Sequence, residues 1–341
     1  MTSDKSSYTF GIWGFGHIAP RHVEAIGSSD VGKVVAGYDN AAAGRQKMEG
    51  HGIDCIYGDV DAFLANPFRI AVICTPSGLH ASHTLAALKA GKDVVVEKPL
   101  ALSIEDAMTM MVTAKDVGRR LFLVKQNRFN PAVLAVRQLM QSGGLGKILS
   151  VSVNGFWNRP SAYYQSSWKG TKALDGGILY NQFSHFIDLL IWFFGPLEAV
   201  AGIAANRHKG GNIEFEDVFT GLARTTDGAP VDMHFTVNAA RHNMEGAITI
   251  FGAEATVKIG GNYLDELKYA AFESKEMADM FELEHERIKR NSSELQGHRA
   301  VYLNVRDTLE GRSREHVSPE DGLRCISLIA SMYAVCNAPR H

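Results

Sequence analysis

Cysteine is scarce in this chain, and its placement excludes more than its number does. The four residues, Cys55, Cys74, Cys325 and Cys336, lie far apart with no paired spacing, which argues against a disulfide framework and against a zinc site. A reducing, cytoplasmic setting is expected. Charge of one sign is also missing: 35 Lys plus Arg face 37 Asp plus Glu, so neither a nucleic-acid partner nor a membrane surface is indicated. Long apolar runs are lacking too. The richest, Phe186 to Phe194, is too short to cross a bilayer and reads as a buried helix. The polar stretch Met1 to Ser7 runs straight into a strand, and no signal peptide is expected. What is present is 341 residues of ordinary composition, 45% hydrophobic and 21% charged, enough for two domains rather than one core.

The first half alternates strands and helices. Tyr8 to Trp13 is a short apolar strand, followed at once by Gly14-Phe15-Gly16-His17-Ile18-Ala19 and a helical pattern through Ile26. This is G-x-G-x-x-A between a strand and a helix. Gly14 permits the tight turn, Gly16 lets a pyrophosphate approach the backbone, and Ala19 lets helix pack on strand. A second strand, Lys33 to Tyr38, ends in Asp39, 23 residues after Gly16. An acid there can accept hydrogen bonds from the ribose hydroxyls of NAD and repels the 2′-phosphate of NADP; the bland alternative is a turn residue or helix cap. NAD is therefore expected rather than NADP, although Arg45 nearby leaves the second open. Further strands are expected at Ile53 to Tyr57, Ile70 to Cys74, Lys92 to Val96 and Leu121 to Val124, with a helix over Ile104 to Val117. Six strands alternating with helices describe a doubly wound parallel sheet. His80, at the start of a helix, reads as a cofactor contact or, more plainly, as a polar cap.

Within that series Val94-Val95-Val96-Glu97-Lys98-Pro99-Leu100 stands out. Three valines read as a strand buried on both faces, and it ends abruptly in an acid, a base and a proline. Ligands of open α/β sheets collect at the carboxyl ends of the strands. Lys98 is accordingly either an active-site lysine or a solvated loop residue.

After Val124 the texture changes. Lys125 to Pro131 is polar, a helix is expected over Ala132 to Ser142, and alternation follows at Leu149 to Val153, Asp217 to Arg224, Val231 to Val237 and Ala247 to Ile259. This predicts an α+β domain with an open, largely antiparallel mixed sheet, one face packed on helices. The expected division is 1–126 for dinucleotide binding and 127–341 for substrate binding and oligomerisation, with the C-terminal helix free to pack back on the first domain. An open sheet face needs cover, and a second subunit is the simplest, so a homo-oligomer, dimer or tetramer, is expected. The densest polar insertion holds Arg159, Tyr163, Ser167, Trp168 and Lys169, rings beside cations that suit a sugar and a phosphate or carboxylate. If Gly177 onward is helical, Asn181, His185 and Asp188 share one face. No second histidine or carboxylate pair completes a metal-ligand set there, so no metal is expected.

Taken together, Gly14 to Ala19, Thr75-Pro76 with His80, Glu97-Lys98-Pro99, and Gly176-Gly177 with His185 and Asp188 resemble the Gfo/Idh/MocA oxidoreductase family in order and spacing. The resemblance implies a Rossmann domain with bound NAD(P), a second domain with an open mixed sheet, and a cis or strained Lys98-Pro99 peptide. It places Lys98 near the reacting hydroxyl and His185 as acid or base. The cofactor-side candidates are Gly14, Phe15, Gly16, His17, Ile18, Asp39, Thr75, Pro76, His80, Glu97, Lys98 and Gln126. Asn181 stands where most members carry aspartate; this resembles the subgroup acting at C3 of UDP-N-acetylglucosaminuronate, the WlbA/WbpB type, which has a similar Tyr-Tyr-x-x-Ser-Trp-Lys-Gly loop. Lys98, His185 and Asn181 become the catalytic candidates, and Arg128, Arg159, Tyr163, Ser167, Trp168, Lys169 and Asn181 the substrate-side ones. The activity implied is an NAD-dependent oxidation of a sugar or nucleotide-sugar acid. The rivals are an NAD-dependent glycoside hydrolase, an inositol or free-sugar dehydrogenase, and a non-catalytic NAD-binding sensor.

Overall fold

A computed structural model describes residues 8–165, 168–207, 213–292, 297–312 and 318–337. The chain divides into two compact units, Met1–Gln126 with Gly297–Leu323, and Asn127–Gln296 with Arg324–His341. The segment Gly297–Leu323 thus groups with the first unit, apart from the rest of 127–341.

The first unit is built on β1 (Tyr8–Trp13), β2 (Gly32–Tyr38), β3 (Cys55–Tyr57), β4 (Ile70–Ile73), β5 (Asp93–Val96) and β6 (Leu121–Leu123), with α1 (Ala19–Ser28), α2 (Ala42–Glu49), α3 (Val60–Ala65), α4 (His80–Lys89) and α5 (Ile104–Asp116) between them. All pairings are parallel, in the order β3-β2-β1-β4-β5-β6. Ile70 to Ile73 and Val94 to Val96 are fully buried, as continuous apolar runs in a sheet covered on both faces must be. Helix starts follow local chemistry: Asp59 caps α3 through Ala62 N–H, and Ser103 caps α5 through Asp106 N–H. Strand order reverses between β1 and β4, and a crevice of such a sheet opens at that switch point. The glycine loop after β1 and the Thr75 turn after β4 both lie there.

The second unit contains β7 (Ile148–Phe156), β8 (Leu197–Ala205), β9 (Val218–Thr225), β10 (Pro230–Thr236), β11 (Glu245–Gly252), β12 (Ala255–Gly260) and β13 (Glu266–Phe272). They form one sheet in the order β13-β12-β11-β7-β10-β9-β8, parallel only between β10 and β7. Its helices are α6 (Pro131–Gln141), α7 (Ser184–Phe194) and α8 (Lys275–Ser292). One sheet face is apolar and buried, with Val151, Val153, Phe219, Val231, Phe235, Ile248 and Ile250 all fully covered. Against it α7 lays Phe183 and Phe186, the Phe183 ring stacking on Phe235 at 4.6 Å. Two further helices close the chain, α9 (Gly297–Leu309) in the first unit and α10 (Pro319–Asn337), which runs from the first unit into the second.

Two expectations need correction. The stretch Ala247 to Ile259 is a hairpin, β11 and β12, rather than a single strand. Residues from Gly177 do not form a helix with Asn181 on it; α7 begins at Ser184, and Asn181 sits in the turn before it. Gly176 and Gly177 have φ of +86° and +133°, which breaks helical geometry.

Candidate active site

At the glycine loop, Gly14 has φ +88°, and a Cβ there would meet Thr75 Cγ2 at 2.8 Å. Only glycine lets the loop pass so close to the β4 turn. A Cβ at Gly16, by contrast, would find nothing within 4 Å. The backbone there is open, and the first turn of α1 carries no acid, so the positive helix end faces no competing carboxylate of its own. Asp39 grips the loop: its Oδ2 accepts from Phe15 N–H at 2.7 Å, and its Oδ1 accepts from Ala41 N–H at 2.8 Å. Each oxygen has a second lone pair for a further donor.

At the end of β5 the Lys98-Pro99 peptide is cis. Lys98 is half-buried, whereas Val94 to Glu97 before it are buried. Glu97 Oε2 accepts from Lys98 N–H at 3.0 Å. His80 is 1% exposed, with Nδ1 2.7 Å from the Pro99 carbonyl and Nε2 3.0 Å from the Thr75 carbonyl. Burial lowers its pKa against the pull of those two carbonyls. Three residues on, His83 stacks on Trp13 at 4.4 Å between ring centroids and bonds Thr75 Oγ1 at 3.0 Å. Burial takes the His83 pKa down to about 4.

The second unit gathers the polar insertion and the turn before α7. Asp175 is fully buried; its carboxylate accepts from Gly170 N–H at 2.8 Å and from the Asn181 side-chain amide. Asn181 therefore presents Nδ2 to Asp175, which leaves its Oδ1 to face elsewhere. Glu216 holds the same turn from β9's entry, accepting from Ile178 N–H at 3.0 Å and from the Tyr333 hydroxyl. A Cβ at Gly177 would lie 2.5 Å from that hydroxyl, so the glycine is required twice, by its φ and by its neighbour. Beside the turn, Lys169 Nζ sits 3.9 Å from the centre of the Tyr163 ring, and the Arg159 guanidinium lies 5.3 Å from it. Partial burial lowers the Lys169 pKa, opposed by Asp175 and assisted by Arg159. Arg159 donates through Nη1 to Asn158 O and Asn243 Oδ1, while its buried Nε has no hydrogen-bond partner among the described residues. His185 is half-buried, although every other residue from Ser184 to Ile191 is buried.

Two family profiles match the chain: an oxidoreductase family with an NAD-binding Rossmann fold over residues 8–125, and the GFO/IDH/MocA C-terminal domain over residues 133–258. The chain belongs to the Gfo/Idh/MocA family. It is similar over its whole length to the WlbA dehydrogenase of Bordetella pertussis, solved in complex with NADH and UDP-GlcNAcA, with TM-score 0.88, 31% identity and 98% of both chains covered. The corresponding WlbA complex from Chromobacterium violaceum gives TM-score 0.89 and 33% identity, covering 98% of this chain and 94% of that one. A scyllo-inositol 2-dehydrogenase (NADP(+)) of Bacillus subtilis is 32% identical over 148 residues; the match spans 43% of this chain and 41% of that enzyme.

As a Gfo/Idh/MocA protein the chain places its expected residues unevenly. Gly14, Phe15, Gly16, His17, Ile18, Asp39, Thr75, Pro76, Glu97 and Lys98 lie at the carboxyl ends of β1, β2, β4 and β5, with Gln126 shortly after β6, its Oε1 buried without a hydrogen-bond partner among the described residues. Phe15 turns its ring into the core, and its N–H is used by Asp39, so its part is to shape the loop. A neutral His80 has one N–H to give, and the shorter contact places it on Nδ1, toward the Pro99 carbonyl; both ring nitrogens face carbonyls, so the ring ties the Pro99 turn to α4 rather than capping helix N–H groups. Arg128 is 1% exposed and forks onto Asp188, Nε to Oδ2 at 2.9 Å and Nη2 to Oδ1 at 2.7 Å. That buried ion pair is internal to the second unit and commits the Asp188 carboxylate to Arg128. Arg159, Tyr163, Trp168 and Lys169 do come together with Asn181 around Asp175; Ser167 lies outside the described residues. The residues that sequence reasoning missed are Asp175, Glu216 and His83. Asp175 stood directly before the Gly-Gly pair, but no spacing rule ties it to Asn181.

Proposed function

We propose that this chain is an NAD-dependent dehydrogenase that oxidises a secondary hydroxyl of a sugar or nucleotide-sugar acid, C3 of a UDP-N-acetylhexuronate being the preferred substrate. The observation that carries this reading is the full-length similarity to two WlbA dehydrogenases solved with NADH and UDP-GlcNAcA. The residues fit it. The open backbone at Gly16 and the uncompensated start of α1 suit a pyrophosphate, and Asp39 suits ribose hydroxyls and so NAD over NADP. Bound NAD supplies the hydride acceptor, so the protein has to take the hydroxyl proton. Lys98 and His185 are both half-buried and both able to act as that base. Partial burial and the positive charge of oxidised nicotinamide favour a neutral lysine. Asn181 is uncharged and cannot hold an imidazolium as aspartate would, which favours Lys98 as base with His185 orienting or relaying the proton. On the substrate side, Arg159 and Lys169 offer cations to a carboxylate or diphosphate, and Tyr163 and Trp168 offer faces to a sugar or uracil ring. Ser167 joins them from sequence alone.

The test is a spectrophotometric screen of the purified protein with NAD against UDP-sugar acids, free sugars and inositols. NADH should form fastest with UDP-N-acetylglucosaminuronate, and Lys98→Ala should lose more than ~100-fold in turnover while still binding NADH. Release of a glycosidic product without net NADH would assign the hydrolase instead. Full activity in Lys98→Ala would move the base to His185, and no hydride transfer with any sugar would favour the sensor.

A further inference from the structure

The carboxylate of Glu97 is the centre of a cluster that the catalytic reading leaves unused. Its Oε1 lies 2.9 Å from His22 Nε2 on α1 and 3.3 Å from His298 Nε2 on α9, while Oε2 takes the Lys98 N–H at 3.0 Å. His22 Nδ1 lies 2.7 Å from the Tyr302 hydroxyl, and His22 and Tyr302 are wholly buried. His298 and Tyr302 are four residues apart, one turn along α9, so one helix face reaches both members of the cluster.

The protons can be placed by elimination. Burial pushes the Glu97 pKa up, but the hydrogen bonds from the two histidines outweigh it and hold the carboxyl well below its usual range. Burial lowers the pKa of His22, which stays neutral. A carboxylate only accepts, so both histidines present Nε2–H to Glu97, and neutral His22 must then accept the Tyr302 proton at Nδ1. Three N–H donors, from His22, His298 and the Lys98 backbone, converge on the one Glu97 carboxylate, and Tyr302 fixes the tautomer of His22. The same three side chains bring potential metal-ligand atoms within 4.8 Å of one another. Hydrogen bonds already join all three through one Glu97 oxygen, so the arrangement is complete without an ion.

On the other side of Lys98, the Pro99 carbonyl is held by His80 Nδ1. The backbone of the lysine is thus fixed at its own N–H and at the next residue's carbonyl, by groups that are themselves buried and bonded. We propose that His22, His298 and Tyr302 form, with Glu97, a clamp that positions Lys98 for proton transfer, and that α9 is the element that closes it. This rests on the reading of Lys98 as the acid–base group. A base must sit within hydrogen-bond reach of the proton it takes, and freeing its backbone reduces the time it spends there. The members of the clamp are positioning residues, since they act through Lys98.

His298 is the position to change, because it is less enclosed than His22. His298→Leu removes the donor to Glu97, and His298→Gln returns an N–H at nearly the same reach. The leucine variant should lower kcat by roughly 10- to 100-fold, with KM for the sugar and Kd for NADH held within about threefold, and glutamine should recover most of the loss. Hydrogen exchange at the Lys98 amide, followed by mass spectrometry of the β5 peptide, should accelerate in the leucine variant and return toward wild type with glutamine. Unchanged exchange and unchanged kcat in His298→Leu would overturn the clamp. So would equal damage in both variants with NADH binding lost, or stoichiometric zinc uptake by the wild-type protein. If the wild type moved no hydride from any sugar, the dehydrogenase reading would fail, while the exchange rates would still report whether the clamp holds.

Discussion

At the scale of single residues, the pair Asp175 and Asn181 shows what an amide does at position 181: it donates to a buried carboxylate. Asp175 is fully buried and already accepts from Gly170 N–H at 2.8 Å. Its other oxygen takes the Asn181 amide. An aspartate at 181 would set two carboxylates in hydrogen-bonding contact, and one of them would have to keep a proton. The Asn181→Asp variant should therefore match wild type best at low pH, where the pair shares that proton. As pH rises through the elevated pKa of the pair, kcat should fall about 10- to 100-fold while the wild-type rate does not. Parallel kcat–pH profiles for the two proteins would show that the carboxylates do not couple. In the wild type the nearby carboxylate is Asp175, which opposes the burial-driven fall of the Lys169 pKa and, after burial itself, adds to the rise at Tyr163.

At the scale of elements, α4 is a packed helix that carries two neutral histidines. His83 titrates at about 4 in the folded protein against 6.5 as its ordinary value, because burial against Trp13 disfavours the cation. Its folded pKa is depressed, so the stability it confers is complete above about 6.5 and is lost as pH falls toward about 4, where the unfolded chain binds the proton first. His80 and His22 push in the same direction through burial. Glu97 acts lower, since its pKa lies well below 4.5. The thermal midpoint should drop as pH is taken from about 6.5 to about 4, and His83→Gln should flatten part of that slope; an identical slope in the variant would deny His83 its share. The same elements show what was legible in advance. β1 was read to the residue, and β4 and β5 within one residue, because a strand covered on both faces writes an uninterrupted apolar run. β8 and β13 were not read, because edge strands exposed on much of both faces carry no alternation. Asn181 and His185 stand four residues apart, the spacing of a helix, yet the turn that holds Asn181 is pinned by Glu216 from a distant strand entry. What local sequence cannot supply is the pairing of Glu97 with its partners, as His298 lies 201 residues downstream.

At the scale of the whole molecule, the unaddressed surface is the second face of the seven-stranded sheet. Cross-strand rows run along it: Ala201, Leu222, Asp232, Ser152 and Thr249 in one, and Ile203, Thr220, His234 and Asn154 in the next. Leu222 is 50% exposed and Ile203 57%, with Phe251 and Tyr269 open on neighbouring strands. Small and hydroxyl side chains between them keep the face flat, and Ser152 Oγ donates to Asp232 at 2.9 Å, so even its acid is tied down rather than projecting. Charged projections are how exposed sheets usually avoid association, and this face has few of them along its central strands. We propose that a second copy of the chain covers it, sheet face to sheet face. A stable contact of this kind buries about 1,200–2,000 Å² in total, and replacing a central apolar residue by a charge leaves that charge unpaired in the interface. Light scattering should return the mass of at least two chains for the wild type, whose single chain is 37.3 kDa. Leu222→Asp should shift that mass toward one chain without lowering the free energy of urea unfolding of the separated protein by more than about 0.5 kcal/mol, since Leu222 packs little within its own subunit. A wild-type mass of one chain at micromolar concentration would leave the face to water, and its apolar rows would then need another explanation.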